Sequence, residues 1–278
     1  MAETQRYARA PSAESDGEAP GRGRLAGRRI LVVGGGQRTF DAATDPVGNG
    51  RATSLLCARE GAGVAVADAD RASAGETVAR IESAGGRAFA VQADIERPDD
   101  IVRMIAEADE GLRGLDGIVL NVGIGVGSLG LAGVKVDEWD KVLAVNLRGP
   151  MLCCREALPK LAEGASIVFI SSIAALGAGS RIPAYDASKA ALGGLMRHVA
   201  MEGCRRGIRA NTVYPGLVDT PLGRAATAGR PSRAATQVPL GRQATAWEVA
   251  YAVLFFLSDE SVYVTAQGLA IDGGLSGI

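Results

Sequence analysis

Histidine is nearly absent from this sequence, because only His198 occurs among its 278 residues. A histidine-dependent catalytic triad or a histidine-rich metal site would rest on that one residue, so we predict neither and expect no metal site. The formal net charge of -1 provides no bulk basic field, which argues against a nucleic-acid partner. No uninterrupted apolar run is long enough to cross a bilayer, so we predict no membrane span.

Cysteine is also scarce, and its four positions show no C-x-x-C spacing. We expect small, buried apolar side chains in a reducing cytosol at these positions, which are Cys57, Cys153, Cys154 and Cys204. The N-terminal region has no apolar segment of the kind that a secretory signal needs. Together these features predict a cytoplasmic protein.

Two regions of different composition divide the chain. Residues 1–24 mix Arg, Glu, Pro, Gly and Ser without an apolar period, which predicts a disordered tail. Over residues 25–278 short apolar runs alternate with longer helical stretches. Such alternation is typical of a parallel sheet covered by helices on both faces. The predicted fold class is therefore α/β, a single Rossmann-like, doubly wound domain with a seven-stranded parallel sheet.

Polar side chains follow several of the predicted strands. We predict the strands at Ile30–Val33, Val64–Ala67, Ala88–Gln92, Ile118–Leu120, Ile167–Ile170, Arg209–Tyr214 and Leu269–Ile271. Asp68, Asp94, Asn121 and Ser172 fall at carboxyl ends of these strands, where sheets of this kind bind ligands. Between the fourth and fifth strands we predict one long helix over Val136–Leu161, in which a bend is allowed.

Tyr185 and Lys189 lie at the start of a run of small apolar residues, 187–200, that predicts a buried helix. Residues four apart share one face of a helix. A lysine cation beside a phenol favours the phenolate, so we expect the pKa of Tyr185 to fall below its ordinary value of about 10. Such a tyrosine exchanges a proton near neutral pH. An ordinary Tyr and Lys on a helix is the alternative, because this spacing is common by chance.

Glycines after the first predicted strand indicate a turn in which backbone N–H groups and a helix N-terminus meet a pyrophosphate. Gly34-Gly35-Gly36 and Gly48-Asn49-Gly50 are separated by an insertion at about 38–47. Asp68 lies 18 residues after Gly50, where a carboxylate accepts hydrogen bonds from ribose hydroxyls and repels a 2′-phosphate. This arrangement predicts NAD in preference to NADP. A glycine-rich surface loop is the alternative.

With these motifs in order, the chain over about 25–278 resembles the short-chain dehydrogenase/reductase family. The matching segments are Leu25-Ala26-Gly27-Arg28, Asp94, Asn121-Val122-Gly123, Val145-Asn146-Leu147-Arg148-Gly149, Ser172 at 13 residues before Tyr185, Asn211 with Pro215-Gly216-Leu217-Val218-Asp219-Thr220, and Gln267–Gly274. Val33 stands where the family has Thr, and Leu120 where it has Asn. The family has three residues between its first two motif glycines, whereas 13 separate Gly34 from Gly48.

The resemblance implies hydride transfer between a nicotinamide cofactor and a secondary alcohol or ketone. Tyr185 would be the general acid/base, and Lys189 would lower its pKa and bind the nicotinamide ribose. Ser172 would hold the substrate oxygen, and Asn146 would hold a water that links Lys189 to solvent. The implied cofactor contacts are Gly34, Gly36, Gln37, Gly48, Asn49, Asp68, Asp94, Ile95, Asn121, Gly123, Tyr185, Lys189, Pro215, Gly216, Val218 and Thr220. The implied substrate contacts are Ser172, Ile173, Tyr185 and Leu217.

The loop at about 217–240 follows the sixth strand, at the place where the family closes over its substrate. Its Arg224, Arg230 and Arg233 allow two interpretations, as does Arg181 just before the Tyr185 helix. One is an acidic substrate, because arginine binds carboxylates bidentately. The other is a set of solvated or interfacial arginines.

The leading prediction is an NAD-dependent secondary-alcohol dehydrogenase or ketoreductase whose partner is a small alcohol or ketone. A cyclic diol dehydrogenase is the alternative enzyme. A cofactor-sensing or scaffold protein is disfavoured, because such a protein would be expected to lose Tyr185, Lys189 or Ser172. The insertion would cover the cofactor, move freely or form an interface. The family is usually tetrameric, which implies a homotetramer, or else a homodimer, that pairs through the long helices and the last strand.

Overall fold

In the computed structural model, the described residues are 12–127, 130–177, 180–228 and 230–278. The strands are β1 (Arg29–Val33), β2 (Gly63–Asp68), β3 (Arg87–Gln92), β4 (Leu115–Leu120), β5 (Leu161–Ile170), β6 (Arg209–Pro215), β7 (Val218–Asp219), β8 (Ala244–Thr245) and β9 (Gly268–Ile271). Seven of them form a parallel sheet in the order β3-β2-β1-β4-β5-β6-β9, while β7 and β8 pair separately. The predicted fold class is confirmed.

Nine α-helices of the described residues connect these strands. They are α1 (Asn49–Arg59), α2 (Arg71–Ser83), α3 (Pro98–Leu112), α4 (Val136–Leu143), α5 (Gly149–Ala157), α6 (Pro183–Gly203), α7 (Pro221–Ala228), α8 (Pro231–Ala234) and α9 (Ala246–Leu257). Local sequence explains several beginnings. Pro183 occupies the first turn of α6, where the missing N–H costs nothing. Asp70 caps α2, and Thr245 and Glu248 form a capping box at α9.

The core has two halves, one on each face of the sheet, because successive side chains of a strand point to opposite faces. Leu31 and Val33 of β1 belong to the half that packs against α3, α5 and α6. Ile30 and Val32 belong to the half that packs against α1, α2 and α9. The near-continuous apolar strands of the sequence are therefore buried on both sides, and the polar site must lie at a strand end.

The predicted long helix 136–161 is interrupted and shorter than expected. A five-residue π-helical segment, Ala144–Arg148, separates α4 from α5, and Leu161 already belongs to β5. Pro150 cannot donate a backbone hydrogen bond to the preceding turn, and Gly149 before it is a weak helix former, which together account for the break. A π-helical segment thus interrupts the helix in the region where the sequence allowed a bend, and Asn146 lies within that segment.

Residues 12–24, which were predicted as part of a disordered tail, make defined contacts with α1 and α9, whereas residues 1–11 lie outside the described residues. Glu60 at the end of α1 accepts hydrogen bonds from the backbone N–H groups of Arg22 and Arg24, both at 2.9 Å. Ser15 donates to Glu248 at 2.9 Å and its carbonyl accepts from Thr245 at 2.6 Å. The segment 12–24 therefore packs against both α1 and α9. It is held by the carboxylates of Glu60 and Glu248, which lie far from it in the sequence.

The four cysteines are all free thiols, and three are buried as predicted, Cys204 being exposed. No helix among the described residues has both the length and the apolar character that a bilayer crossing requires. The predicted loop 217–240 contains the short elements β7, α7 and α8, which the sequence did not suggest.

Candidate active site

Tyr185 and Lys189 lie in the first two turns of α6, close to the carboxyl end of β5. The Lys189 Nζ atom lies 5.8 Å from the centre of the Tyr185 ring. The same ammonium donates to the carbonyl of Ile170 at 3.0 Å and reaches that of Val122 at 3.5 Å. The predicted common face is therefore real, and backbone carbonyls at the ends of β4 and β5 hold the lysine in place.

Burial dominates the electrostatics of both groups. Only 3% of Lys189 is exposed, and burial lowers its pKa from 10.5 to about 8. Burial also raises the pKa of Tyr185, against the hydroxyl of Ser172 and the positive charges of Arg233 and Arg230, which act to lower it. The predicted fall of the Tyr185 pKa is thus wrong for the protein alone, because desolvation of the phenolate outweighs the nearby positive charge.

Asn146 is fully buried in the π-helical segment, and its amide is held on both sides. Its Oδ1 atom accepts from the N–H of Ile124 at 2.8 Å, and its Nδ2 atom donates to the Ile124 carbonyl at 2.9 Å. The Nδ2 atom also donates to Ser188 Oγ at 3.0 Å, and Ser188 donates to the Tyr185 carbonyl at 2.8 Å. Asn146 therefore links the loop after β4 to the turn of α6 that carries Tyr185.

Ser172 follows β5 and caps a short 3-10 turn at Ile173–Ala175. Its Oγ atom accepts the N–H of Ala174 at 3.2 Å. Because that contact uses an acceptor lone pair, the hydroxyl proton stays available for another oxygen. Ile173 and the buried Leu217 lie at the ends of β5 and β6, so the predicted substrate contacts fall along one edge of the sheet.

The glycine-rich turn brings β1 and α1 into close approach. A Cβ atom on Gly50 would lie 1.8 Å from the carbonyl oxygen of Gly34, so no other residue fits there without moving backbone. Asn121 donates to that carbonyl at 2.8 Å, which fixes the turn from the end of β4. Gly48 precedes α1 without a capping side chain, and Asn49 Oδ1 is buried with no partner among the described residues. Because no side chain caps it, the N-terminus of α1 can receive a phosphate with its backbone N–H groups.

Asp68 ends β2 beside the same turn. Its Oδ2 atom accepts from the N–H of Gly36 at 3.0 Å, and its Oδ1 atom accepts from the N–H of Asp70 at 3.1 Å. Burial raises the pKa of this carboxyl, while those backbone donors act to lower it. The backbone of Gly36 lies so close to Asp68 and Ser73 that only glycine fits at this position. A Cβ atom there would lie 2.8 Å from Asp68 Oδ2 and 2.7 Å from Ser73 Oγ.

The insertion leaves the turn at Gln37 and returns at Gly48. Gln37 Oε1 accepts from the N–H of Gly48 at 2.7 Å, and its Nε2 atom donates to the Pro46 carbonyl at 3.2 Å. At its tip the Thr44 carbonyl accepts from Arg224 of α7 at 2.8 Å. The insertion therefore connects the glycine-rich turn to the loop 217–240, which contains Arg224. The sequence of neither segment predicted this contact.

The remaining predicted cofactor residues form two groups along the carboxyl edge. Next to β4, Gly123 lies so close to Lys189 that a Cβ would stand 2.8 Å from its Nζ atom, while Asp94 and Ile95 follow β3. After β6, the predicted residues are Pro215, Gly216, Val218 and Thr220. The N–H of Gly216 donates to β9 at Ile271, 2.9 Å away, and Thr220 Oγ1 accepts from the start of α7.

Sequence reasoning missed two polar contributors. Ser188 connects Asn146 to the Tyr185 turn, and its place beside Lys189 in the motif is the signal that could have identified it. Ser73 accepts from the N–H of Gln37 at 2.6 Å and donates to its carbonyl at 2.8 Å, so α2 supports the phosphate turn. No spacing rule connects Ser73 to that turn, which lies 36 residues away.

Comparison with known proteins gives consistent matches across the chain. A family model described as enoyl-(acyl carrier protein) reductase matches residues 43–276. The 2-(S)-hydroxypropyl-CoM dehydrogenase 3 of Xanthobacter autotrophicus is 34% identical over 264 residues, covering 92% of this chain and 99% of that protein. The cis-4-hydroxycyclohexanecarboxylate dehydrogenase of Sinomonas cyclohexanicum is 35% identical over 234 residues, covering 83% and 93%.

A solved structure extends the likeness to three dimensions. A short chain dehydrogenase from Burkholderia cenocepacia, in complex with NADP, superposes with a TM-score of 0.79 at 34% identity. The match covers 90% of this chain and 98% of that one. Nine tenths of this chain therefore has a counterpart of the same fold.

Proposed function

The chain belongs to the short-chain dehydrogenase/reductase family of NAD(P)-dependent oxidoreductases acting on alcohols and ketones, and we propose that it transfers a hydride between NAD and a secondary alcohol or ketone. One observation carries the proposal. Tyr185, Lys189, Ser172 and Asn146 converge at the carboxyl edge of the sheet, beside a glycine turn built for a dinucleotide. A scaffold or sensor would have no need of a buried lysine behind a tyrosine.

The residues present fit a dinucleotide. Gly50 leaves room for no side chain beside Gly34, and the N-terminus of α1 has no capping side chain to compete with a phosphate. We assign the pyrophosphate to this turn, the adenosine ribose to Asp68, and the nicotinamide side to Gly123 and Lys189. The cofactor, when bound, supplies the hydride acceptor or donor.

The proton follows a route that the side chains define. In alcohol oxidation, Tyr185 as phenolate accepts the proton of the substrate hydroxyl; in ketone reduction, its hydroxyl gives a proton to the substrate oxygen. Ser172 donates to the same oxygen and holds it beside the phenol. Lys189, charged below its pKa of about 8, stabilises the phenolate. Asn146 keeps the loop after β4 and α6 in fixed relation, and we assign to it the water that relays the proton from Lys189.

Asp68 supports NAD over NADP. Its carboxylate lies at the end of β2 and would accept hydrogen bonds from ribose hydroxyls, whereas a 2′-phosphate would meet a negative charge. The Burkholderia relative binds NADP, so both cofactors occur among proteins of this fold. The test is a panel of secondary alcohols and ketones assayed with NAD(H) and NADP(H) side by side. We expect NADH to form only with a secondary alcohol present; a panel inert with both cofactors in both directions would refute the proposal.

The names of the relatives support a class of substrate but do not identify one compound. One is described as acting on a hydroxypropyl-CoM compound and one on a hydroxycyclohexanecarboxylate, so the names of both indicate a secondary alcohol. Ile173 and the buried Leu217 provide an apolar wall that suits such a carbon skeleton. A cyclic diol stays the alternative substrate, and the panel should include one.

We also propose that the protein is a homotetramer, or failing that a homodimer. An apolar groove crosses α4, the π-helical segment, α5 and α6, and its lining includes Leu143, Leu147, Met151 and Leu195. Leu269 lies exposed on the edge strand β9, so a second face is open to pairing. Light scattering should give four subunits for the wild type and fewer for Leu147→Asp. A monomeric wild type would contradict the assignment.

A further inference from the structure

Two arginines of the substrate loop, Arg230 and Arg233, lie near the beginning of the helix that carries Tyr185. Arg230 precedes α8 and Arg233 lies within it. The charge of Arg233, and to a smaller degree that of Arg230, acts on Tyr185, and the tyrosine acts in return on Arg233. The catalytic tyrosine of the proposed reaction is therefore close to the positive charge of this loop.

Two of the three arginines in this loop have structural work. Arg224 binds both carboxylate oxygens of Asp219, at 2.6 and 2.8 Å, and also the Thr44 carbonyl. Arg230 donates to the Ser180 carbonyl just ahead of α6 and to the Ala226 carbonyl at 3.3 Å. These contacts join the loop to the elements on either side of it. The segment of the loop that carries Arg233 is therefore held in place by the contacts of Arg224 and Arg230.

Arg233 itself is half-buried and largely unused. Its Nε atom donates to Thr227 Oγ1 at 3.2 Å, which fixes the direction of the guanidinium. Within the described parts of the chain, its two terminal NH₂ groups meet no acceptor, and no carboxylate oxygen lies within 4.0 Å of it. Burial lowers the pKa of Arg233, and the charge of Arg230 acts in the same direction. A half-buried cation without a counter-ion is costly, so the geometry awaits an anion.

We propose that Arg233, with Arg230 beside it, binds a carboxylate of the substrate, so that the enzyme acts on secondary alcohols or ketones that also carry an acidic group. This inference rests on the proposed dehydrogenase function and specifies its substrate class. The planar guanidinium presents two parallel N–H donors, which match a carboxylate and fix its orientation. Anchored there, the substrate would present its carbinol carbon to Tyr185 and Ser172.

The test uses matched pairs of substrates. Secondary alcohols with a carboxylate at different distances from the carbinol are compared with the methyl esters of the same compounds, using NAD and the full-length enzyme. For the best pair we expect kcat/KM for the acid to exceed that for the ester, since a charged hydrogen-bonded pair is worth about 10- to 100-fold in binding. In Arg233→Gln the acid-to-ester ratio should fall by about that factor, mainly through the KM of the acid.

A ratio measured within one variant is insensitive to partial misfolding of the loop. Arg181→Gln is the matched control, since it removes the same charge from an exposed position just before α6. An unchanged ratio in that variant supports a contact at Arg233 rather than a general field. Esters oxidised as well as acids by the wild type, or equal losses of the ratio in both variants, would overturn the inference. A weaker affinity for NADH in Arg233→Gln with an unchanged ratio would assign the arginine to the cofactor instead. If the wild type turns over none of these compounds, acid or ester, the dehydrogenase function itself is refuted.

Discussion

Replacing the buried Lys189 by methionine should make the fold at neutral pH no less stable while removing activity. Burial lowers the Lys189 pKa from 10.5 to about 8, and at about 1.4 kcal/mol per pKa unit this difference costs the folded protein about 3 kcal/mol at pH 7. Methionine is similarly long and carries no charge, so the penalty disappears. The carbonyls of Ile170 and Val122 lose their donor, which costs about 1–2 kcal/mol each and offsets most of the gain.

The pH dependence of the free energy of unfolding separates the cost of the buried charge from the cost of the lost hydrogen bonds. The pKa of Lys189 is lower in the folded than in the unfolded chain, so between pH 8 and 10.5 the unfolded chain holds a proton that the folded one has released. Stability contributed by this group therefore rises with pH across that window. The free energy of unfolding of the wild type, relative to Lys189→Met, should increase by about 2 kcal/mol from pH 7 to pH 10.

Urea unfolding followed by the fluorescence of Trp139 and Trp247 measures this difference, at equal subunit concentration and without cofactor. The buried thiols Cys57 and Cys153, whose pKa values burial raises to about 12, destabilise the fold as the unfolded thiols ionise above pH 9. They do so in both proteins and cancel in the difference. A difference that stays constant from pH 7 to pH 10 would refute the reasoning, because Lys189 would then carry no burial penalty.

Three further changes test the other parts of the site. Tyr185→Phe should lower kcat by about 10²–10⁴ while NADH still quenches protein fluorescence with near wild-type affinity; retained turnover would remove Tyr185 from the chemistry. Asp68→Asn should raise kcat/KM with NADP by about tenfold, through about 1.4 kcal/mol of relieved repulsion, and unchanged cofactor selectivity would contradict its assignment. Deleting residues 38–47 should speed NADH release about 10- to 100-fold in stopped-flow fluorescence, as should Arg224→Ala, since both remove the bond to Thr44. Release at the wild-type rate would mean that the insertion does not cover the cofactor.

Elements with local signals could be read from the sequence, and those held by distant contacts could not. The beginnings of α2 and α9 carry such local signals, because Asp70 caps one helix and the box of Thr245 and Glu248 begins the other. The segment 12–24 is ordered through Glu60 and Glu248, which lie 36 or more residues away, and composition alone carries no trace of them. The π-helical break was visible only as a bend, because Gly149-Pro150 indicates a break but not its geometry.

The site followed the same division. The pairing of Tyr185 with Lys189 was readable from a spacing of four, and the meeting of strand ends from the alternation of strands and helices. The sign of the Tyr185 pKa was not readable, since it depends on how completely the surrounding loops bury the phenol. The departures Val33 and Leu120 are neighbours in the structure, because the two residues are register partners on β1 and β4 and both are buried. A neighbouring pair that is polar in the family is apolar here, and both residues belong to the core half that packs against α3, α5 and α6.

The Gln37 side chain explains how the glycine turn keeps its geometry around the long insertion. Its amide spans the gap that the extra residues open, since one end accepts from Gly48 and the other donates to Pro46. Removing 38–47 from the sequence leaves Gly34-Gly35-Gly36-Gln37-Gly48-Asn49-Gly50, which restores the three-residue spacing of the family. The turn is thus intact, and the insertion is an excursion from it whose two ends one side chain holds together. Such an excursion costs little loop-closure entropy, because its ends already meet, and within it the Thr44 carbonyl accepts a hydrogen bond from Arg224 of α7.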